Sequence, residues 1–152
     1  MLINPIFICS ACKRLKKGRV ANMKKFILVL GQGTTSSRAT IYDNLGEKVS
    51  YVNREFKQYY PKPGWVEHDA EEIVKCTFDV AKLAIETAGI TTNNISGIGI
   101  TNQRETTVMW DKTTGKPIYH AIVWGCRRTA EICKKLMDDG YGKMINEKTG
   151  LV

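Results

Sequence analysis

The segment spanning residues 26–42 constrains the fold of this 152-residue chain more than any other. Five consecutive apolar residues run from Phe26 to Leu30, a short Gly-, Ser- and Thr-rich stretch follows, and Arg38 to Tyr42 resumes a strand-like sequence. A short apolar run that ends at glycine predicts a buried strand rather than a helix. The interval before the next strand is too short for a crossover helix, so the two strands are expected to pair antiparallel. An all-helical fold is therefore excluded.

The rest of the sequence predicts a mixed sheet with few helices, hence an α/β fold. A turn at 43–46 leads to a third strand at 48–56, and a Pro- and Gly-containing loop follows at 59–65. Further strands are predicted at 95–101, 106–110 and 118–124. The glycines inside the 95–101 strand suggest close approach of a neighbouring backbone, and the terminal segment 147–152 carries no sign of a helix.

Two helices are predicted. Asp69 is expected to cap the first helix, with Glu72 three residues later, and Gly89 is expected to close it. The second helix is predicted over about 128–139. Their inward-facing residues are expected to be Val74, Phe78, Ala81 and Ile85 in the first helix and Ile132, Cys133, Leu136 and Met137 in the second.

Charge and composition exclude several classes of protein. The net charge is +8, but five of the surplus cations lie in residues 1–22, which contain no carboxylate. A basic leader without interleaved aromatic residues does not indicate nucleic-acid binding, and no apolar run is long enough to span a membrane. Five cysteines are too few and odd in number for a disulfide scaffold. Cys9 and Cys12 lack further zinc ligands. We expect a reducing, cytoplasmic compartment.

The stretch from Gly31 to Arg38 is the first candidate binding site. Successive backbone amides, four hydroxyl groups and one guanidinium are the donors that a polyphosphate needs. The stretch is neither a Walker loop nor a G-x-G-x-x-G motif. A simple hairpin turn remains the commoner explanation of such a composition.

The second candidate site follows the predicted strand at 95–101, which is expected to be buried. Arg104 can donate to hydroxyl oxygens and Glu105 can accept from hydroxyl hydrogens, so the adjacent pair suits vicinal hydroxyl groups. A surface ion pair of little energetic value is the alternative. Trp65 and Trp124 are either core aromatics or walls for a small ligand. His68, beside the helix cap, is interpreted as solvated or structural rather than as a base.

Four segments resemble, in order and spacing, the amino-terminal part of the glycerol kinases, a branch of the FGGY carbohydrate kinase family. They are FILVLGQGTTSSRA (26–39), YPKPGWVEHD (60–69), GITNQRETT (99–107) and TGKPIYHAIVWGCRRTAEIC (114–133). The resemblance implies a ribonuclease-H-like ATPase fold, shared with actin and hexokinase, in which two domains enclose a cleft. We therefore expect residues 1–22 to be an unstructured leader and residues 23–152 to be an incomplete first domain with a mixed sheet.

The resemblance also implies roles for seven side chains, with ATP, Mg²⁺ and glycerol as ligands. Those implied to face the nucleotide phosphates are Thr34, Thr35, Ser36 and Arg38, and those implied to hold glycerol are Arg104, Glu105 and Trp124. Phosphoryl transfer depends on positioning and on stabilising the charge of the moving group, so the two ligand sites must converge.

The chain departs from the family pattern at two positions. Gly31 stands where the family has an Asp, and Gly125 stands where it tends to have Gln. A glycine cannot replace a carboxylate that helps to hold a metal, so we expect no catalytic residue at position 31. The sequence stops after TGLV, before the family's second domain with its base and adenine pocket. This chain alone is therefore expected to be inactive, with a complementing kinase fragment as a candidate partner.

Three functions remain open. The first is the family reaction, ATP-dependent phosphorylation of glycerol to sn-glycerol 3-phosphate. The second is a noncatalytic fragment or pseudoenzyme that binds polyol or nucleotide weakly. The third is nucleic-acid binding through the basic residues of 1–22, which is not expected. Another sugar kinase of the same family remains an alternative substrate assignment, although the adjacent Arg104 and Glu105 favour glycerol.

Overall fold

A computed structural model describes residues 25–151 of the chain. The predicted leader and the Cys9 and Cys12 pair lie outside these residues. The elements, in chain order, are β1 (Phe26–Gln32), β2 (Ser36–Tyr42), β3 (Lys48–Glu55), β4 (Glu67–His68), α1 (Ala70–Thr87), a 3₁₀ turn (Thr92–Asn94), β5 (Ile95–Thr101), β6 (Ala121–Ile122), α2 (Ala130–Asp138) and α3 (Gly142–Thr149). In this part of the chain, no helix is both long enough and apolar enough to cross a bilayer.

The main sheet has four strands in the order β3-β2-β1-β5, which confirms the predicted α/β fold with a mixed sheet. β1, β2 and β3 form an antiparallel meander, and β5 returns parallel to β1. The turn between β1 and β2 is shorter than the predicted 31–37 loop. Gly31 and Gln32 still pair with Arg38 and Ser37, so only residues 33–36 lie outside the ladder between β1 and β2. Gly33 closes the turn by donating its N–H to the Ser36 carbonyl at 2.9 Å.

The hydrophobic core lies between α1 and one face of the sheet, mainly over β2 and β3. Ile41 and Val80 are completely buried, and Leu28 is almost so. The Ser50 hydroxyl donates to the Ala84 carbonyl at 2.7 Å, which joins β3 to the helix. The buried residues of the core are Phe26, Leu28, Leu30, Ala39, Ile41, Phe56, Ile73, Cys76, Val80 and Ala84.

Helix α1 begins and ends as predicted. The Asp69 carboxylate accepts from the N–H groups of Glu71 and Glu72, which satisfies two otherwise unpaired donors at the helix start. Gly89 follows the last turn with φ of +64°, where glycine carries no steric penalty. The Glu72 side chain does not complete a capping box, because it instead accepts from the N–H of Lys57 at 3.0 Å.

The predicted inward stripe of α1 was wrong for two of its four members. Val74 and Phe78 are 52% and 70% exposed, whereas Ala81 and Ile85 pack at the margin of the core. The buried face consists of Ile73, Cys76, Thr77, Val80 and Ala84. The helix carries two adjacent apolar stripes, and periodicity alone does not distinguish the one that meets the sheet from its neighbour.

Strand β5 lies at the edge of the sheet, so the expectation of a buried strand was also wrong. Ile98 and Ile100 are 61% and 70% exposed because α1 does not extend over them. A β-carbon at Gly97 would make only ordinary contact with Ile27, and one at Gly99 would meet open space. Among the described residues, no backbone crowds these glycines.

The segment after β5 is less regular than predicted. The strands expected at 106–110 and 118–124 reduce to β6, which pairs with β4, and to isolated bridges joining Thr107 to Ile122 and Trp110 to Pro117. Helix α2 forms, but its four predicted inward residues are exposed in the described structure. Helix α3, ending at Gly150 with φ of +71°, was not predicted. Within the described residues nothing covers the apolar sides of these two helices.

Candidate functional site

The turn between β1 and β2 presents the predicted phosphate donors. Thr34 and Ser36 are half-buried and Thr35 is exposed, so all three hydroxyl groups lie at the surface of one tight turn. The N–H of Phe56 donates to the Thr35 carbonyl at 3.3 Å, which holds the turn against the chain that leaves β3. Hydroxyl groups on such a turn are the kind of donor that anion sites use.

Thr77 of α1 anchors the base of this turn, a role that the sequence reasoning missed. Its hydroxyl donates to the Ile73 carbonyl at 2.8 Å, so its oxygen is left to accept from the two residues that flank the turn. Gln32 Nε2 and the Ser37 hydroxyl each lie 3.2 Å from Thr77 Oγ1. Since Ser37 and Thr77 are buried, this polar cluster fixes the turn relative to the helix.

Arg38 is exposed on the opposite face of the sheet from α1 and folds across Gly31. A β-carbon built at Gly31 would lie 2.6 Å from Arg38 Nε and 2.8 Å from Arg38 Cγ. The guanidinium therefore occupies the space that the Asp of the family pattern would need. A shallow concavity surrounds it, lined by Val29, Gly31, Arg38, Thr40, Tyr42, Lys48, Tyr51 and Thr101.

Arg104 and Glu105 follow the carboxyl end of β5 in an exposed turn. No ion pair forms between them in the described structure, so the alternative of a surface salt bridge is not supported. Glu105 has φ of +61°, a left-handed conformation that a non-glycine residue rarely adopts. Such strain costs on the order of 1 kcal/mol and clusters at ligand sites. Both residues are exposed just beyond the end of the parallel strand.

Trp124 brings three of the four motif segments together. Its indole Nε1–H donates to Thr34 Oγ1 at 3.0 Å, across 90 residues of sequence. Its backbone N–H donates to Thr106 Oγ1 at 3.3 Å, next to Glu105. Three segments therefore meet at Trp124, namely the turn between β1 and β2, the segment after β5 and the segment after β6. Gly125 is exposed beside it, and a β-carbon there would meet open space rather than a packed strand end.

A buried ionic cluster holds the segment that carries Trp124, and the sequence reasoning did not find it. We define the Glu67 cluster as Glu67, Tyr119, His120 and Arg128. The 3%-exposed Glu67 carboxylate accepts from Arg128 at 2.6 Å, from the Tyr119 hydroxyl at 3.0 Å and from His120 at 3.2 Å. Burial alone raises the pKa of Glu67, but these hydrogen bonds outweigh it and the net pKa is lowered.

Arg128 extends the cluster to two further residues. Its guanidinium carbon lies 3.9 Å from the centre of the Trp65 ring, and its Nε donates to Cys126 Sγ at 3.0 Å. Burial raises the pKa of Cys126, but hydrogen bonds from the Val66 backbone and from Arg128 lower it overall. The only sequence signal for this cluster was that both of its segments belong to motifs quoted for the resemblance.

His68 is structural, as interpreted from the sequence. It is fully buried, its ring lies edge-on to Phe56, and its Nε2 lies 2.6 Å from Gln58 Oε1. Because the amide oxygen only accepts, Nε2 carries the proton. Burial lowers the pKa of His68, which favours the neutral ring.

The described residues do not fit a magnesium site. Among residues 25–151 no group of three or more His, Cys, Asp or Glu side chains is placed to hold a metal. Gly31 supplies no oxygen ligand where the family pattern supplies a carboxylate, and Mg²⁺ requires such ligands. By contrast, the hydroxyls of the turn and Arg38 do suit phosphate oxygens.

Solved structures with the same arrangement are sugar kinases of the actin- and hexokinase-like fold. A Plasmodium falciparum glycerol kinase with ADP matches with a TM-score of 0.71 at 34% identity, over 81% of this chain and 25% of that one. A Lactobacillus acidophilus gluconate kinase matches with a TM-score of 0.72 at 24% identity, over 84% of this chain and 25% of that one.

The chain belongs to the FGGY family of carbohydrate kinases, whose N-terminal domain matches residues 26–152. Glycerol kinase 2 of Thermotoga maritima is 62% identical over 128 residues, which cover 84% of this chain and 26% of that protein. The glycerol kinase of Caldanaerobacter subterraneus is 62% identical over 130 residues, which cover 86% of this chain and 26% of that protein. The chain thus spans about a quarter of the length of these relatives.

Proposed function

We propose that this chain supplies the phosphate-binding turn and the polyol-binding wall of a glycerol kinase, an enzyme that transfers a phosphoryl group from ATP to glycerol. The observation that carries the proposal is the meeting of three motif segments at Trp124, through Thr34 and Thr106. The 62% identity to proteins named glycerol kinase supports the choice of substrate.

In this proposal each side chain has a role that its chemistry permits. The hydroxyls of Thr34, Thr35 and Ser36 donate to phosphate oxygens, and Arg38 neutralises their charge. Arg104 donates to glycerol hydroxyl oxygens and Glu105 accepts from glycerol hydroxyl hydrogens. The exposed indole of Trp124 covers the carbon side. Bringing the two ligands together in this way lowers the entropic cost of transfer.

We propose further that the chain is inactive by itself. Gly31 leaves the phosphate turn without a carboxylate for the metal, and no step through Mg²⁺ can be assigned to the described residues. The remaining part of an FGGY kinase is then the partner required for turnover. A cytoplasmic location fits this role, and the cysteines Cys76, Cys126 and Cys133 are free thiols in the described structure.

Exposed apolar side chains on β5 and α1 support this partner. Ile98 and Ile100 share the sheet face of their register partners Leu28 and Leu30, which α1 covers, yet both isoleucines are exposed. On α1, the exposed Val74 lies on the flank away from Asp79, and Asp79 pairs with Arg54 of β3. That exposed flank therefore faces the β5 side of the sheet.

We propose that this exposed apolar face is covered by an apolar segment of the kinase polypeptide beyond the quarter present here. The test is to co-purify the full chain with the rest of the Thermotoga maritima relative. Ile98→Asp is expected to abolish the complex, and Val49→Asp, at an exposed position of β3, is expected to preserve it. A complex that survives Ile98→Asp, or self-association of the chain through this face, would contradict the assignment.

The substrate is tested by calorimetric titration of the full chain with glycerol, D-gluconate and xylulose. Glycerol is expected to bind most tightly and Arg104→Ala to abolish its binding. Arg54→Ala, at the other edge of the sheet, serves as the matched control and is expected to bind glycerol as the wild type does. Preference for gluconate or xylulose would favour another sugar kinase. Unchanged glycerol binding by Arg104→Ala would refute the proposed wall.

A further inference from the structure

We infer that Trp124 is a positioning residue for Thr34, and that their hydrogen bond couples polyol binding to phosphate binding. The inference rests on the proposed function, because it concerns the same two ligand sites. It assigns to the indole a second role beyond that of an apolar wall.

The direction of the hydrogen bond carries the argument. An indole N–H can only donate, so Thr34 Oγ1 is the acceptor in the 3.0 Å contact. A threonine hydroxyl has one proton of its own. No other described group bonds to this hydroxyl, so its proton is directed away from the indole and remains free to donate. A phosphate oxygen at the turn is the acceptor that this geometry suits.

The contact also determines where the indole lies. Trp124 is 60% exposed, so burial does not fix its ring. Its position depends on two hydrogen bonds, one from its backbone to Thr106 and one from its ring to Thr34. A polyol that packs against the Trp124 indole restricts the motion of the ring, and the same ring orients the Thr34 hydroxyl. A phosphate held by that hydroxyl in turn restricts the ring.

Coupling of this kind is reciprocal, since each ligand changes the affinity of the other by the same factor. One hydrogen bond with a typical net contribution sets the factor at about 2- to 10-fold. ATP is therefore expected to tighten glycerol binding to the full chain by about this factor. A hydroxyl that accepts a hydrogen bond is also a stronger donor, which acts in the same direction.

The first measurement is the indole ¹H–¹⁵N spectrum of the full chain without ligand. Trp124→Phe and Trp110→Phe assign the resonances, and Trp110 is a matched control because it is 62% exposed and lies outside the site. Thr34→Val is expected to shift the Trp124 indole proton upfield, and Thr34→Ser is expected to restore it. An unchanged Trp124 resonance in Thr34→Val would overturn the inference.

The second measurement is the glycerol affinity of each variant with and without ATP. Wild type, Thr34→Ser and Trp110→Phe are expected to show the 2- to 10-fold coupling. Trp124→Phe keeps an apolar ring but is expected to bind glycerol with the same affinity with and without ATP. Coupling that persists in Trp124→Phe overturns the inference. If the wild type binds both ligands but its glycerol affinity is the same with and without ATP, only the coupling is overturned. If the wild type binds neither ligand, the proposed function is overturned as well.

Discussion

Replacement of Glu67 is expected to lower the stability of the protein substantially, because its carboxylate holds three side chains of one buried cluster. In Glu67→Ala the Arg128 guanidinium, whose side chain is 13% exposed, loses its carboxylate partner while Tyr119 and His120 lose an acceptor. Removing one partner of a buried ion pair costs about 3–5 kcal/mol. That is a large share of the roughly 5–15 kcal/mol stability of a typical domain. Glu67→Gln keeps the shape and one acceptor oxygen, so its cost is expected to be smaller, about 1.5–3 kcal/mol.

The assay is urea unfolding of the full chain followed by circular dichroism at pH 7. Exposed Glu86 provides the control, because Glu86→Ala is expected to change the free energy of unfolding by less than about 0.5 kcal/mol. The folded-state pKa of Glu67 lies below its ordinary value of 4.5, so its contribution is complete above that pH and is lost as pH falls through the folded value. The wild-type advantage over Glu67→Gln should therefore shrink below about pH 4.5. A loss of less than about 1 kcal/mol in Glu67→Ala would refute the reasoning.

Three further predictions concern the helix cap, the turn anchor and the missing carboxylate. Asp69→Ala removes the acceptor for two N–H groups of α1 and should lower the free energy of unfolding, measured by thermal unfolding, by about 0.5–2 kcal/mol. Asp69→Asn should recover most of this loss. An Asp69→Ala variant as stable as the wild type would contradict the role of Asp69 as a cap. Thr77→Val leaves the buried Ser37 hydroxyl without its partner, so urea unfolding should show a loss of about 1–3 kcal/mol, and Thr77→Ser should lose less; no loss would show that the turn is not anchored there. Gly31→Asp should displace Arg38 and make ATP binding, measured by titration, depend on Mg²⁺, with Gly31→Asn as the uncharged control; Mg²⁺-independent binding by Gly31→Asp would contradict the role assigned to the missing carboxylate.

The regular part of the fold could be predicted from the sequence. The meander β1-β2-β3, the Asp69 cap and the closing Gly89 depend on local signals, namely an apolar run, turn residues and capping chemistry. Each of these signals determines the structure within a few residues of its own position in the sequence. The predicted loop at 31–37 was too long because ladder pairing continues through Gly31 and Gln32, which a glycine-rich composition does not reveal.

The incorrect predictions concern which apolar side chains are buried by the rest of the protein. Val74, Phe78, Ile98 and the apolar side of α2 were expected to be buried, and all are exposed in the described residues. Hydrophobic periodicity identifies a face that is suited to burial, but the partner that buries it is a property of the tertiary structure. In a chain that spans a quarter of its relatives, several such faces have no partner among the described residues.

The candidate site was found in outline but not in its connections. Thr34, Arg104, Glu105 and Trp124 were singled out as separate motifs, and the sequence did not indicate that Trp124 joins them. Thr77 and the Glu67 cluster were missed because a threonine in a helix and a glutamate in a two-residue strand carry no local signal of burial. Long-range polar contacts become visible only once the chain is folded.

The proposed binding site has a polyol-binding wall, formed by two of the three segments that meet at Trp124, beside the third segment, the phosphate turn. Its most direct test is to map the ¹H–¹⁵N resonances of the full chain that glycerol perturbs. Glycerol is expected to shift resonances mainly at Arg104, Glu105, Thr106 and the indole of Trp124, and ATP is expected to add shifts at residues 33–38. Glycerol-induced shifts concentrated elsewhere in the chain, or no shift at the highest glycerol concentration of the titration, would contradict this site.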